Sequence, residues 1–466
     1  MLIGQTTAEI IRNIADGSVS AEDYAKTSLA RCREQAYLNA FIAIDEAQVL
    51  AAARAADAHR LSGAALGTLH GLPVAIKDNI YTKDMPTTGG TPAFAGFRPG
   101  RDASTVSALL DAGAILLGKT NLHELAFGVT SKNEHFGAVG NPYDPVRVAG
   151  GSSGGTASAI SAGMASAGLG TDTGGSTRIP AALCGIAGFR PTTGRYGGDG
   201  VFTMSRTRDT VGPMANDVAG LRLLDAAMAF GVADADRVPS LRGVRFGLPR
   251  GMIEQLAAPE MVAAIEPAIQ ALRDAGAVIV EVEIFGIVAL NAAASVPMAV
   301  YEIRREWAAF LDTTLKIGMD EFGSRIASRD VKNLFAMVAG EPLPETVYAD
   351  AVGAKRRAMR HIYGNCFAAH GIAAILRPTT PVTAPPIASC DTVRIGPETV
   401  DVFHAMTLFC DPSSVAGIPS VTVPAGLLDG LPFGLDLDGP YGEDADLLAV
   451  AAAVEAVIGR LPPPVL

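Results

Sequence analysis

The chain has 466 residues, 49% of them hydrophobic and 18% charged, with a formal net charge of −11. That balance supports a large core, lacks the signature of a disordered chain, and argues against a nucleic-acid partner, which calls for a basic patch. The five cysteines (Cys32, Cys184, Cys366, Cys390, Cys410) stand singly, and there is neither a signal-peptide pattern nor an 18-residue apolar run, so the expectation is a cytoplasmic protein without disulfides, a zinc site or a membrane span.

The first 65 residues read as helices. Thr6 and Glu9 have capping-box spacing before Ile10, Ile11 and Ile14. Ser20 opens a second helix, with Glu22 and Asp23 in its first turn, and Ala47 to Ala58 is a third. From about residue 66 the chain alternates strand and helix. Val74 to Ile76 is a short apolar strand, and Lys77, Asp78 and Asn79 follow where it leaves the core. Ser104 to Ala112 is a helix and Ala114 to Leu117 a strand; Met261 to Ala275 and Val278 to Val282 repeat the pattern. Both copies carry D-A-G-A (Asp111 to Ala114, Asp274 to Ala277), the same helix-to-strand turn used twice. Residues 286–365 are helix-rich and contain the only tryptophan, Trp307. Ala373 to Leu376 and the stretch from Ile418 are strands, and Ala445 to Ile458 is a closing helix. The fold class that follows is α/β, a large mixed central sheet covered by helices on both faces. No linker divides the chain, so residues 1–466 read as a single domain: N-terminal helices to about 65, a core to about 285, a helical insertion over about 286–365, and the rest of the core to 466.

The stretch from Val148 to Arg178 holds two glycine loops around a small-residue segment, Ala157 to Ala167, that reads as a buried helix. The first loop, Gly150 to Gly155, has phosphate-loop glycine spacing but lacks the lysine that such a loop needs. Gly151-x-Ser153-x-Gly155 formally matches a nucleophile elbow. That motif needs an acid and a histidine downstream, and His361, His370 and His404 have no distinctive setting. In the second loop, Gly170 to Arg178, the amides of Thr173, Gly174, Gly175 and Ser176 can form a nest for an anion. Ser176 could then attack a carbonyl whose oxyanion those amides hold. A serine needs a base, and neither loop has a histidine. Lys77 serves if burial lowers its pKa; the alternative is a surface or ion-paired lysine, and Asp78 beside it does not decide between them.

Five stretches together carry a resemblance: G-L-P-V-A-I-K-D-N around Lys77, A-G-G-S-S-G-G-T at 149–156, G-T-D-T-G-G-S-T-R-I-P-A-A-L-C-G at 170–185, G-F-R-P-T-T-G-R-Y at 188–196 and T-R-D-T-V-G-P-M at 207–214. With these the chain resembles the amidase signature family of serine hydrolases. The resemblance implies Ser176 as nucleophile, Ser152 as a bridging serine reached through a cis peptide bond from Gly151, and Lys77 as base. Thr173 to Ser176 would hold the oxyanion, Asp172 and Arg178 would brace the loop, and Ser153 would be structural. It implies hydrolysis of an amide through an acyl-enzyme, with no cofactor and no metal.

N-L-H-E-L-A-F-G-V-T-S (121–131), S-V-P-M-A-V-Y-E (295–302) and C-D-P-S-S-V-A-G-I-P (410–419) resemble the indoleacetamide and mandelamide hydrolase branch. This implies a small primary aryl- or alkyl-acetamide substrate, with Phe127, Gly128, Met298 and Phe409 as candidate pocket residues, or plain core packing for each. The Ala126 to Thr130 loop would lie across the scissile amide. The expected partner is a small-molecule amide, with no nucleic acid or membrane, and a homodimer is the candidate assembly. The alternative is the amidase-type subunit of a glutamine-dependent aminoacyl-tRNA amidotransferase; a catalytically silent scaffold is a third reading, against which the intact Lys77, Ser152 and Ser176 argue.

Overall fold

The computed structural model describes residues 4–229, 231 and 238–465. Helices α1 (Thr7–Ala15), α2 (Ala21–Glu34) and α3 (Glu46–Leu61) open the chain. Thr6 caps α1 in a full capping box: its side chain accepts from the Glu9 amide, and Glu9 accepts from the Thr6 amide. Ser20 caps α2 in the same sense, accepting from the Asp23 amide.

The main sheet has 11 strands. In chain order they are β1 (Phe41–Ala43), β2 (Pro73–Lys77), β3 (Ile115–Thr120), β4 (Ala167–Asp172), β5 (Ala187–Arg190), β6 (Thr210–Ala215), β7 (Arg245–Leu248), β8 (Val278–Glu281), β9 (Ala374–Pro378), β10 (Ser420–Leu428) and β11 (Leu431–Asp438). Across the sheet they lie β1-β3-β2-β4-β6-β5-β10-β11-β9-β7-β8. β2 pairs in parallel with both β3 and β4, and β7 with both β8 and β9; the other pairings are antiparallel. The sheet is therefore mixed, as its alternating sequence pattern implies.

Helices α4 (Ser104–Asp111), α5 (Gly154–Ser161), α6 (Arg178–Cys184), α7 (Val218–Met228), α8 (Arg250–Leu256) and α9 (Pro259–Asp274) connect the strands, and α17 (Asp444–Ile458) closes the chain. α5 packs on α6, which lies over β5, β10 and β11, while α7, α9 and α17 form another packed helical layer. The repeated D-A-G-A turn is real: Gly113 after α4 and Gly276 after α9 both have φ +92°, a conformation open to glycine.

One reading of the glycine-rich stretch needs correction. The helix there ends at Ser161, and Ala167 to Asp172 is β4, so Gly170 to Asp172 is strand and not loop. Glycine serves contact here rather than flexibility. A Cβ on Gly168 would sit 2.4 Å from the Ala75 carbonyl oxygen, and one on Gly170 would sit 2.7 Å from Ser153 Oγ.

From α10 (Ile287–Thr314) through α11 (Met319–Arg325), α12 (Arg329–Ala339), α13 (Glu345–Asp350) and α14 (Arg356–His370) the chain is helical, and α15 (Val402–Thr407) and α16 (Asp411–Ala416) precede β10. Trp307 is buried among Phe94, Phe127, Phe202, Phe322 and Phe335, and its Nε1 donates to the Thr203 carbonyl at 2.8 Å. The helices that follow residue 286 are thereby packed against the rest of the chain. Glu124 adds a polar tie, accepting from the Ala327 and Ser328 amides at 3.0 and 2.6 Å.

Candidate active site

β2 and β4 run side by side in parallel, with Val74 opposite Ala167 and Ile76 opposite Leu169. Lys77 ends β2 and Thr171 lies one residue before the end of β4, so both side chains come from the carboxyl edge of the sheet, where open α/β sheets place their sites. Lys77 Nζ donates to Ser152 Oγ at 2.7 Å and to Thr171 Oγ1 at 2.8 Å. Asn79 Nδ2 donates to the same Thr171 oxygen at 3.0 Å.

Lys77 is fully buried. Burial pushes its pKa well below the ordinary lysine value, although the Asp172 and Asp209 charges act in the opposite sense. Its neighbour Asp78 is no counter-ion: that carboxylate is engaged by Lys119 Nζ at 3.0 Å. Among the described residues, no carboxylate reaches Lys77 Nζ within ion-pairing distance. Burial without a paired carboxylate therefore favours the neutral form of the amine.

The bond between Gly151 and Ser152 is cis. The segment Val129 to Ser131 lies directly on it: a Cβ on Gly151 would fall 2.8–2.9 Å from the Val129 carbonyl carbon and the Thr130 and Ser131 amides. The Ser152 carbonyl accepts from the His123 amide at 3.1 Å and from Ser131 Oγ at 3.3 Å. Ser153 turns the other way. Its Oγ donates to the Thr171 carbonyl and accepts from the Thr171 amide, both at 3.3 Å. The Ser153 amide donates to the Ser176 carbonyl at 3.2 Å, which ties the two glycine loops together.

Ser176 and Gly174 are half-buried, whereas Ser152 and Ser153 are fully enclosed. Asp172 braces the loop between them. It accepts from the Gly175 amide (2.9 Å), the Thr177 amide (3.1 Å), Arg178 Nε and Nη2 (3.1 Å each) and Arg190 Nη1 (3.0 Å). Burial alone would raise the Asp172 carboxyl, but Arg178 and Arg190 outweigh it and hold it well below the usual range. The bracing role inferred for Asp172 and Arg178 thus has direct contacts behind it. Gly175 departs from its inferred role: its amide is turned to Asp172, so it does not face an oxyanion. The amides of Thr173, Gly174 and Ser176 have no protein partner among the described residues.

The expected pocket residues Phe127, Met298 and Phe409 fall in three different apolar clusters. Phe127 packs against Trp307 and Phe335, with ring centroids 6.2 and 5.4 Å apart. Met298 belongs to a separate apolar cluster with Ala294 and Met359, and Phe409 to the core of the sheet. Gly128 lies against the imidazole of His123, 2.2 Å from where a Cβ would stand.

Several polar residues went unassigned in the sequence. Asn79 and Thr171 sit inside the K-D-N and G-T-D motifs; only its contact with Lys77 singles out Thr171, and only its contact with Thr171 singles out Asn79. Asp209, inside T-R-D-T, accepts from Thr173 Oγ1 at 2.6 Å and from the Met204 and Ser205 amides at 2.8 Å. Among the described residues, no cluster of three or more His, Cys, Asp or Glu is placed to hold a metal, and no helix is long and apolar enough to cross a membrane.

The structure thus brings the buried Lys77 to Ser152 at a sheet edge, beside the loop that carries the half-buried Ser176. The amidase family model matches residues 23–448. The indoleacetamide hydrolase of Agrobacterium vitis is 36% identical over 454 residues, covering 97% of this chain and 96% of that protein. The mandelamide hydrolase of Pseudomonas putida is 36% identical over 466 residues, covering 96% and 90%. A glutamyl-tRNA(Gln) amidotransferase subunit from Chloroflexus aurantiacus is 35% identical over 473 residues, covering 95% and 94%. The chain belongs to the amidase family. It is a hydrolase of amide C–N bonds.

Proposed function

We propose that this enzyme cleaves a small primary carboxamide of the arylacetamide type, such as indole-3-acetamide, to the carboxylic acid and ammonia. The observation that carries the mechanism is the 2.7 Å contact between the buried, pKa-depressed Lys77 and Ser152 Oγ. Neutral Lys77 accepts the Ser152 hydroxyl proton while Ser152 accepts that of Ser176. Ser176 Oγ bonds to the amide carbon, and the carbonyl π electrons move to oxygen. The free amides of Thr173, Gly174 and Ser176 stabilise this oxyanion; one such donor contributes ~3–4 kcal/mol in comparable hydrolases. As the tetrahedral intermediate collapses, the proton returns through Ser152 to the leaving nitrogen, and ammonia departs. Water then attacks the acyl-enzyme along the same relay and releases the acid and Ser176.

The arylacetamide class rests on the similarity to indoleacetamide and mandelamide hydrolases. The similarity to an amidotransferase component favours a second reading, in which glutamine is the amide and partner proteins are required. Ammonia release by the purified chain alone separates the two. The first reading expects turnover of indole-3-acetamide or mandelamide without partners, abolished by Ser176→Ala. Turnover of glutamine alone, or none without added partner proteins, would reverse the choice. Full activity in Ser176→Ala would remove the nucleophile assignment.

A further inference from the structure

Asp411, at the start of α16, lies against the exposed side of the nucleophile loop: a Cβ on Gly174 would stand 2.9 Å from Asp411 Oδ1. The carboxylate is held in place by two side chains. Arg208 Nη1 approaches Oδ1 at 3.4 Å, and Asn291 Nδ2 donates to Oδ2 at 2.9 Å. Arg208 is itself fixed by Ser205 Oγ at 3.0 Å and Ser295 Oγ at 2.9 Å. Asn291 and Ser295 are four residues apart on α10, and Met298 follows three residues later, so the three share a helix face.

An ionised carboxylate only accepts hydrogen bonds, so it fixes the Asn291 amide with nitrogen towards Asp411. The orientation of Oδ1 follows. That oxygen is buried and has no hydrogen-bond partner among the described residues. Buried acceptors are seldom left unpaired, and this one stands a single carboxylate away from the loop that carries Ser176.

We propose that Asn291 Oδ1 accepts a hydrogen bond from a donor on the acyl part of the substrate, such as a ring N–H, and that Asn291 is a specificity-determining residue. This rests on the arylacetamide reading above and narrows it. The enzyme discriminates in favour of arylacetamides whose ring system carries a donor. An all-carbon analogue of the same size leaves the acceptor unpaired and is disfavoured. Ser295 holds Arg208, Arg208 holds Asp411, and Asp411 holds the amide, so the acceptor is presented in one orientation.

The test compares ammonia release from indole-3-acetamide, 1-methylindole-3-acetamide and 1-naphthaleneacetamide by the full-length enzyme and by Asn291→Leu. The wild type is expected to favour indole-3-acetamide over both donor-less amides by roughly tenfold in kcat/KM, mainly through KM, the size of one net hydrogen bond. Asn291→Leu is expected to erase that preference, bringing kcat/KM for the three amides within about twofold of one another. A wild type that treats the three amides alike overturns the proposal with no variant needed. So does a preference that survives in Asn291→Leu. Turnover of all three with no discrimination leaves the arylacetamide reading standing, whereas no ammonia from any of them overturns that reading and this inference together.

Discussion

The Thr173 hydroxyl donates to Asp209 Oδ1 at 2.6 Å, which anchors the first residue of the nucleophile loop to the segment that also carries Met204 and Ser205. Burial pushes the Asp209 carboxyl up to about 6, against the pull of these three donors. The same carboxylate favours the charged form of Lys77. Asp209→Asn keeps the shape and removes the charge, so it is expected to lower the Lys77 pKa further. The neutral, active amine then persists to lower pH. The acid limb of the kcat/KM profile is expected to move to lower pH, with kcat reduced roughly tenfold as Thr173 loosens. Ammonia release followed across pH checks this, and an acid limb that does not move would remove Asp209 from the electrostatics of Lys77.

Thr171 is the second partner of Lys77 besides Ser152, accepting from Nζ at 2.8 Å and from Asn79 at 3.0 Å. Thr171→Val removes that acceptor and leaves the amine free to swing away from Ser152. A misplacement of about 1 Å can cost about 100-fold in rate, and a fall of that order in kcat is expected. Thr171→Ser keeps the hydroxyl and should stay near wild type. Steady-state rates for both variants decide the matter; equal rates for the valine and serine variants would show that the hydroxyl does no positioning.

Asp172 supports the loop through a buried charge cluster. Replacing it with asparagine leaves Arg178 and Arg190 as buried guanidiniums with their shared carboxylate gone. Loss of one member of such a cluster costs about 3–5 kcal/mol. The folded pKa of Asp172 lies below that of an ordinary aspartate. Its contribution is therefore present above the unfolded value near pH 4 and is lost only as pH falls through the folded one. The gap in urea midpoint between wild type and Asp172→Asn should be wide at pH 7 and narrow under strong acid. A gap independent of pH would mean that the asparagine acts through packing and not charge.

The local signals that the sequence carried well were those with a short-range cause. The capping box at Thr6 and Glu9, the D-A-G-A turns and the strand before Lys77 need only a few neighbours to form. Glycine misled where its cause is distant. Gly170 reads as the start of a loop, yet it lies in a strand where Ser153 presses against it, as Ala75 presses against the neighbouring Gly168. The placing of Lys77 beside Ser152 followed from motif resemblance, not from anything local, since 75 residues separate them. Asp209, Asn291 and Asp411 were unreadable for the same reason. Asp209 and Asp411 touch a loop that is remote in sequence, and Asn291 touches Asp411; an isolated Asp or Asn in a helix or turn carries no sign of it.

Ser152 and Ser153 are adjacent and equally buried, yet the structure gives them opposite surroundings. Ser152 Oγ meets the amine of Lys77, while Ser153 Oγ is closed off by the backbone amide and carbonyl of Thr171. A group that relays protons in the transition state contributes roughly 100- to 10,000-fold, and Ser152→Ala should lose at least that much. Ser153→Ala removes two long hydrogen bonds to one strand residue, so its effect should fall mainly on stability, at about 1–2 kcal/mol, with kcat within about tenfold of wild type. Ammonia release and thermal unfolding of the two variants, measured side by side, decide between the relay and the nucleophile elbow that the G-x-S-x-G spacing suggests. If Ser153→Ala were the dead variant and Ser152→Ala the active one, the elbow reading would return and Lys77 would lose its place as base.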